Sequence, residues 1–160
     1  MNIKELGVDP FTQMPTVVLR ELQGDRVLKI WIGVFEANAI ALCMDKVEPP
    51  RPMTHDLLKG VIDELGGRLE GIVVTQLKDN TFYAQLRLRS GRGVQTVDAR
   101  PSDAIALALR CGARIFVEEA VIQNARSLGM EELAAQPEDI GKLQRWLENL
   151  SDDDLGKYKM

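Results

Sequence analysis

Ile72-Val73-Val74-Thr75-Gln76-Leu77-Lys78-Asp79-Asn80-Thr81-Phe82-Tyr83-Ala84-Gln85-Leu86-Arg87-Leu88 is the stretch on which the fold turns. Two strand-forming runs flank Asp79-Asn80, which reads as a hairpin turn. In the second run Phe82, Ala84, Leu86 and Leu88 face one way, while Tyr83, Gln85, Arg87 and Arg89 face the other. Downstream, Ser90-Gly91-Arg92-Gly93 turns into a further strand ending near Asp98. Upstream, Thr16–Leu19 and Arg26–Ile32 flank Gln23-Gly24-Asp25 as a second hairpin. Strands joined by hairpins, with helices among them, predict an α+β domain rather than a doubly wound parallel sheet. The expected sheet is mixed and largely antiparallel, packed with several helices.

The helical segments follow from spacing. Ala37, Ile40, Ala41 and Met44 recur at helical intervals between Gly33 and Val47, with few polar interruptions, so this helix is expected to be buried on most sides. Pro49, Pro50 and Pro52 end it. A second helix is expected from Thr54 to Leu65, with Leu57, Leu58, Val61, Ile62 and Leu65 as its apolar stripe and Gly66-Gly67 as its stop. Ser102 opens a third helix whose residues Ala104 to Leu109 are all apolar, the expected centre of the core. Arg114–Val117 reads as a strand and Glu119–Asn124 as a helical turn. A final amphipathic helix carries Leu143, Trp146, Leu147 and Leu150 at i, i+3, i+4 and i+7. The expected organisation is a domain over 1–124, a helical extension over 125–150 and a mobile tail over 151–160.

Composition bounds the function classes. A chain of 160 residues, 45% hydrophobic and 28% charged, is an ordinary globular domain. It has no long apolar span and no signal-peptide core, and Cys43 and Cys111 read as free thiols. These features predict a cytoplasmic protein that does not enter membranes. Residues 1–100 carry 13 Lys/Arg and 13 Asp/Glu, and residues 101–160 carry 7 and 11, so the net charge of −4 arises in the C-terminal part. That balance opposes strong nonspecific attraction to DNA. No P-loop or GxGxxG run is present. One histidine and two isolated cysteines exclude a conventional Cys/His zinc site.

Two segments carry the chemistry. Pro50-Arg51-Pro52-Met53-Thr54-His55-Asp56 and Asp98-Ala99-Arg100-Pro101-Ser102-Asp103 echo one another. Each reads as a helix start, with Thr54 and Ser102 as acceptors for first-turn amides. Helix N-termini attract anions, and an arginine beside each points to phosphate. Arg51 and Arg100 can clamp phosphate bidentately or pair with acids to fix the loops. His55 can move protons near neutral pH, or can bond a backbone carbonyl or a neighbouring acid. Glu36, Asp56, Asp98 and Asp103 are oxygen ligands of the kind Mg²⁺ or Mn²⁺ takes, though Asp56 and Asp103 are better explained as acids favoured by the positive end of a helix. Tyr83, Arg87 and Arg89, with Gln85 and Arg92, form the best nucleic-acid surface visible, or else the wet face of a half-exposed sheet.

Val27-Leu28-Lys29-Ile30-Trp31-Ile32-Gly33, Glu36-Ala37, the two Arg-Pro segments and Asp79-Asn80-Thr81-Phe82-Tyr83-Ala84 together resemble the bifunctional nuclease family, over roughly residues 5–122. Lys29 and Arg114 stand where that family usually has proline. The resemblance implies a nuclease acting on DNA and RNA. In that reading His55, Asp56 and Asp103 are catalytic, Arg51, Arg100 and Ser102 contact substrate, and Glu36, Asp56, Asp98 and Asp103 hold a divalent cation. The alternative is a non-enzymatic oligomeric module with an anion site at the two helix N-termini. A homodimer is the default assembly for either.

Overall fold

The computed structural model describes residues 1–127. Strands β1 (Asn2–Val8), β2 (Pro15–Arg20) and β3 (Val27–Trp31) form an antiparallel three-stranded sheet in that order. Helices α1 (Val34–Met44) and α2 (Thr54–Glu64) follow. Then come β4 (Arg68–Lys78), β5 (Thr81–Ser90), β6 (Gly93–Ala99), α3 (Pro101–Cys111), β7 (Arg114–Val117) and α4 (Glu119–Ser127). The second sheet has the order β6-β5-β4-β7, with β7 parallel to β4 and the other pairs antiparallel. The class is α+β, as the hairpins predict. The strands form two sheets rather than one, joined through a common core that runs from Leu6, Val17 and Leu28 to Ile72, Ile105 and Val121.

The β4–β5 hairpin closes at Asp79 and Asn80, whose φ values of 49° and 57° lie in the left-handed region. Lys78 pairs with Thr81 across them. A two-residue turn with both centres left-handed matches the natural twist of a hairpin, and Asp and Asn accept that conformation at low cost. The alternation holds too: Ala84 and Leu86 are buried, and Tyr83, Gln85, Arg87 and Arg89 are exposed.

Helix α3 is the hub. It lies against α1, α2, β4, β5 and β7, with Ala104 through Ala108 fully buried. Pro101 occupies the first turn, where its missing N–H costs nothing, and Gly112 at φ 61° ends the helix. Helix α1 is less enclosed than its composition predicts, since Phe35 and Met44 are exposed. In α2 the apolar stripe faces outward: Leu57, Leu58, Val61 and Leu65 are exposed, and His55 is the buried residue of that helix. Strand β1 has no counterpart in the sequence reading, because Asn2–Val8 lacks clean alternation. Its edge is tied down by the Met1 amino group, which donates to Ile115 O at 2.6 Å. Lys29 is held by a largely buried pair with Asp9 at 3.0 Å. Helix α4 continues past 124 to Ser127, with Ala125 buried. The Leu143–Leu150 helix and the 151–160 tail lie outside the described residues.

Candidate functional site

The two Arg-Pro segments meet. His55, in the first turn of α2, places Nε2 3.0 Å from Asp103 Oδ1 in the first turn of α3. A carboxylate only accepts, so Nε2 carries the proton and Nδ1 is left as the basic atom. Asp103 uses its second oxygen to accept from Arg100 Nε at 2.8 Å. Arg100 then donates through Nη2 to Glu36 Oε1 at 2.6 Å, reaching the first turn of α1. One network thus ties together the N-terminal turns of α1, α2 and α3, whose backbone amides and dipoles all favour negative charge.

Burial differs along this network in a way that matters for chemistry. The side chain of His55 is 11% exposed and that of Glu36 14%, whereas Arg100 is 67% exposed. The histidine and its acid are held, and the guanidinium faces solvent with N–H groups to spare. Burial raises the pKa of Asp103, but the hydrogen bonds from Arg100 and His55 outweigh it and leave the carboxyl below its usual value. Arg100 is correspondingly raised, chiefly by its bond to Asp103. Glu36 reaches its position because residue 33 is glycine. A Cβ at Gly33 would stand 2.1 Å from Glu36 Oε2.

Neither helix is capped by the expected hydroxyl. The caps are Met53 and Arg100, without a side-chain cap bond, and Thr54 and Ser102 are already helical. At α2 the acid one turn into the helix takes that role, Asp56 Oδ2 accepting from Met53 N at 2.9 Å. Ser102 is turned inward and only 6% exposed, so it offers substrate no surface.

Asp56 points away from His55, toward the other end of α3, where Arg110 Nε donates to its Oδ1 at 2.5 Å. Neighbouring helix positions differ by about 100°, so consecutive residues cannot serve one point. Burial raises Asp56 as well, and the bonds from Arg110 and Met53 bring it below its usual value. Asp98 pairs with Gln85 across the strands and shares its exposed face, one position before Ala99, which packs on the core. The expected ligand set of Glu36, Asp56, Asp98 and Asp103 is therefore not one cluster. Among the described residues, no three His, Cys, Asp or Glu side chains converge as metal ligands. The two acids that do approach each other share Arg100 between them. The donor set as folded does not fit a resident Mg²⁺ or Mn²⁺ ion. Arg51 is exposed at the bend before α2 and makes no ion pair with a described residue. Tyr83, Arg87 and Arg89 stand on the open sheet face, away from α3, and Arg89 pairs with Glu70.

The sequence profile of the bifunctional nuclease domain matches residues 17–128. The chain belongs to the bifunctional nuclease family. An uncharacterized protein of Mycobacterium tuberculosis is 44% identical over 97% of this chain and 96% of its own length. Bifunctional nuclease 1 of Arabidopsis thaliana is 33% identical over 66% of this chain, and Bifunctional nuclease 2 of the same plant is 31% identical over 81%. The chain spans 34% and 38% of those plant proteins. Glu36, His55, Arg100 and Asp103 all lie inside the matched domain. No helix among the described residues is long and apolar enough to cross a membrane.

The contribution of Arg110 escaped the sequence reading. Its signal is an arginine in the last turn of an otherwise apolar helix, a position that favours a cation.

Proposed function

We propose that this bifunctional nuclease domain hydrolyses phosphodiester bonds of DNA and RNA at the His55–Asp103–Arg100–Glu36 network. The observation that carries the reading is a held imidazole–carboxylate pair beside a solvent-facing arginine, at three converging helix N-termini. Asp103 fixes the ring so that Nδ1 is the proton-accepting atom, the role a buried carboxylate plays for a catalytic histidine. His55 takes a proton from the attacking water as its oxygen bonds to phosphorus, and the sugar oxygen that leaves as the other phosphorus–oxygen bond breaks is protonated by solvent. Arg100, oriented by Glu36 and Asp103, donates its remaining N–H groups to the phosphoryl oxygens as their charge grows. Arg51 adds a second guanidinium at the mouth of α2, one without an acid partner among the described residues. Asp56 acts through position, by pinning α2 to Arg110.

The test is cleavage of single- and double-stranded DNA and of RNA by pure protein in Mg²⁺, Mn²⁺ or EDTA, beside His55→Ala and Arg100→Gln. Cleavage lost in both folded variants supports the site. Full activity in His55→Ala removes it. Undiminished cleavage in EDTA is expected of a site without a resident cation, and abolition by EDTA would show that a divalent cation is required and overturn that part of the reading.

We further infer that the occupant of the exposed α2 face is a second copy of this chain. Met53, Leu57, Val61 and Leu65 recur every four residues along it, with Leu58 beside them, a patch of the kind that marks interfaces. A two-fold axis pairs the stripe with itself, and Lys59 and Asp63 beside it already pair with each other within the helix, which leaves that edge neutral. Sedimentation of the wild type as a dimer and of Val61→Glu as a monomer is the expected result. A monomeric wild type refutes it.

A further inference from the structure

The open face of the four-stranded sheet holds a second site that the hydrolytic reading leaves unused. Gly71 on β4 pairs with Arg87 of β5 on one side and Arg114 of β7 on the other. Residues directly opposite across strands project to the same face, so two arginine stems flank a position without a side chain. Their Cα atoms are roughly 10 Å apart, two strand spacings. The ring of Phe116 leans over the gap. A Cβ at residue 71 would come within 3.1 Å of Phe116 Cε2 and of Arg114 O. With Arg68 and Glu70 at its rim, the gap opens into a cleft of about 490 Å³.

The charge here is unrelieved. Arg20, Arg26, Arg89, Arg100 and Arg110 each have a carboxylate partner. Arg68, Arg87, Arg92 and Arg114 form no ion pair with any described residue, and all four are exposed on this one sheet or its β5–β6 turn. Glu70 is engaged by Arg89, and Asp98 is the one other carboxylate on the face's paired rows among the described residues. A local excess of guanidinium in a chain of net charge −4 is a focused positive field rather than a general one. Two half-exposed rings accompany it, Tyr83 at 40% and Phe116 at 44%. Phe116 lies across Val73 from Gln85, and Tyr83 is two residues further along β5, which sets the rings about 12 Å apart at Cα.

We propose that this face binds single-stranded nucleic acid, its phosphates held by Arg68, Arg87, Arg92 and Arg114 and its bases stacked on Phe116 and Tyr83. Flat aromatic platforms reward bases that are free of a duplex, and guanidinium rows track a backbone of any sequence. A lone phosphate would use the cleft over Gly71 but not the second ring or Arg92. The cleft touches α3 only at its C-terminal end, Cys111 and Gly112, the opposite end from Asp103, so binding needs no chemistry at His55. It goes beyond the hydrolytic reading by giving the strand a place to be held while it is cut or when it is not.

The experiment is fluorescence anisotropy of labelled oligothymidylate and oligouridylate of about 12 nucleotides with the full chain. It is run in EDTA across roughly 50–200 mM salt. Wild type, Arg87→Gln/Arg114→Gln, Phe116→Ala and Arg20→Gln are compared after circular dichroism confirms each fold. Wild type should prefer the single strand to a duplex of equal length. The double arginine variant should bind at least about tenfold more weakly, with the slope of log K against log salt reduced by about 1.4, or about 0.7 for each phosphate that an arginine no longer neutralises. Phe116→Ala should weaken binding at least about fivefold at unchanged slope. Arg20→Gln, an exposed arginine of the other sheet that pairs with Asp25, should bind like the wild type. Variants of the face that bind like the wild type overturn the proposal. So does a duplex bound as tightly as the single strand, or binding indifferent to length and displaced alike by inorganic phosphate and by a mononucleotide. Failure of the hydrolytic reading shows differently, as wild type that binds the strand and does not cut it.

Discussion

His55 and Asp103 are 48 residues apart in the chain and 3.0 Å apart in the fold, and a double-mutant cycle on this pair tests the site at its joint. Asp103→Ala removes the acceptor of the imidazole N–H, the partner of Arg100 and a negative charge at the start of α3. A hydrogen bond to a charged group contributes about 1.5–3 kcal/mol when buried. Asp103 is 32% exposed, so about 1–2 kcal/mol is the appropriate share for its bond to His55. The Arg100 pair, with its cation 67% exposed, adds at most about 0.5 kcal/mol after solvent screening. The helix-terminal charge adds about 0.5 kcal/mol. The single variant should therefore lose about 2–3 kcal/mol, a fall in Tm of roughly 4–12 °C for a chain of this size. His55→Ala should lose a similar amount. The double variant should recover about 1–2 kcal/mol relative to the sum, because the bond can be removed only once. Urea unfolding followed by intrinsic fluorescence measures all four corners. The same proteins supply a kinetic cycle, in which each single variant slows cleavage by about 10²–10⁴ and the double is no slower than the worse single. Single effects that add within about 0.5 kcal/mol would refute the His55–Asp103 bond, and with it the composite site.

Acid should unfold the Asp103 network in a predictable direction. A carboxyl held below its usual value near 3.9 contributes full stability above that pH and loses it as pH falls through the lower native value. The stability gap between wild type and Asp103→Asn, measured by urea midpoints, should shrink from about pH 6 to about pH 3; a constant gap would contradict the shift. Gly33→Ala should drive Glu36 off Arg100 and cut kcat/KM by about tenfold to a hundredfold while Tm moves by less than about 3 °C, and Glu36→Gln should match it. Unchanged kinetics in both variants would remove Glu36 from the positioning of Arg100. Arg110→Ala should cost about 2–3 kcal/mol in thermal unfolding, since Arg110 is 8% exposed and leaves Asp56 partly buried without a cation. Asp56→Asn/Arg110→Met should restore most of that loss, and a double variant no more stable than Arg110→Ala would mean that packing rather than charge sets the cost.

Local physics was legible in the residues alone. Asp79-Asn80 announced its hairpin because both side chains tolerate positive φ, and the alternation from Phe82 to Arg89 assigned each residue to a face before any partner strand was known. Arg114–Val117 read as a strand, and Gly66-Gly67 marked the end of α2, because glycine acts on its own backbone. The residues that could do chemistry were visible by type as well, since His55 is the one histidine and the arginines sit beside helix starts.

What required the fold was every relation between segments. Whether an apolar stripe is core depends on what packs against it, and α2 turns Leu57, Val61 and Leu65 to the outside while burying His55. Asp98 looked like a partner of Asp103 from a distance of five residues, yet the two-residue period of β6 sends it through to the far face of the sheet. Arg100 joins Glu36, 64 positions earlier, because α1 and α3 start at the same corner of the layer. The cleft over Gly71 exists because a parallel strand from the end of the domain brings Arg114 beside Arg87. Strand and turn preferences are properties of a few adjacent bonds and can be read in order. Burial, pairing and charge neutralisation are set by groups that the chain brings together only after it has closed on itself.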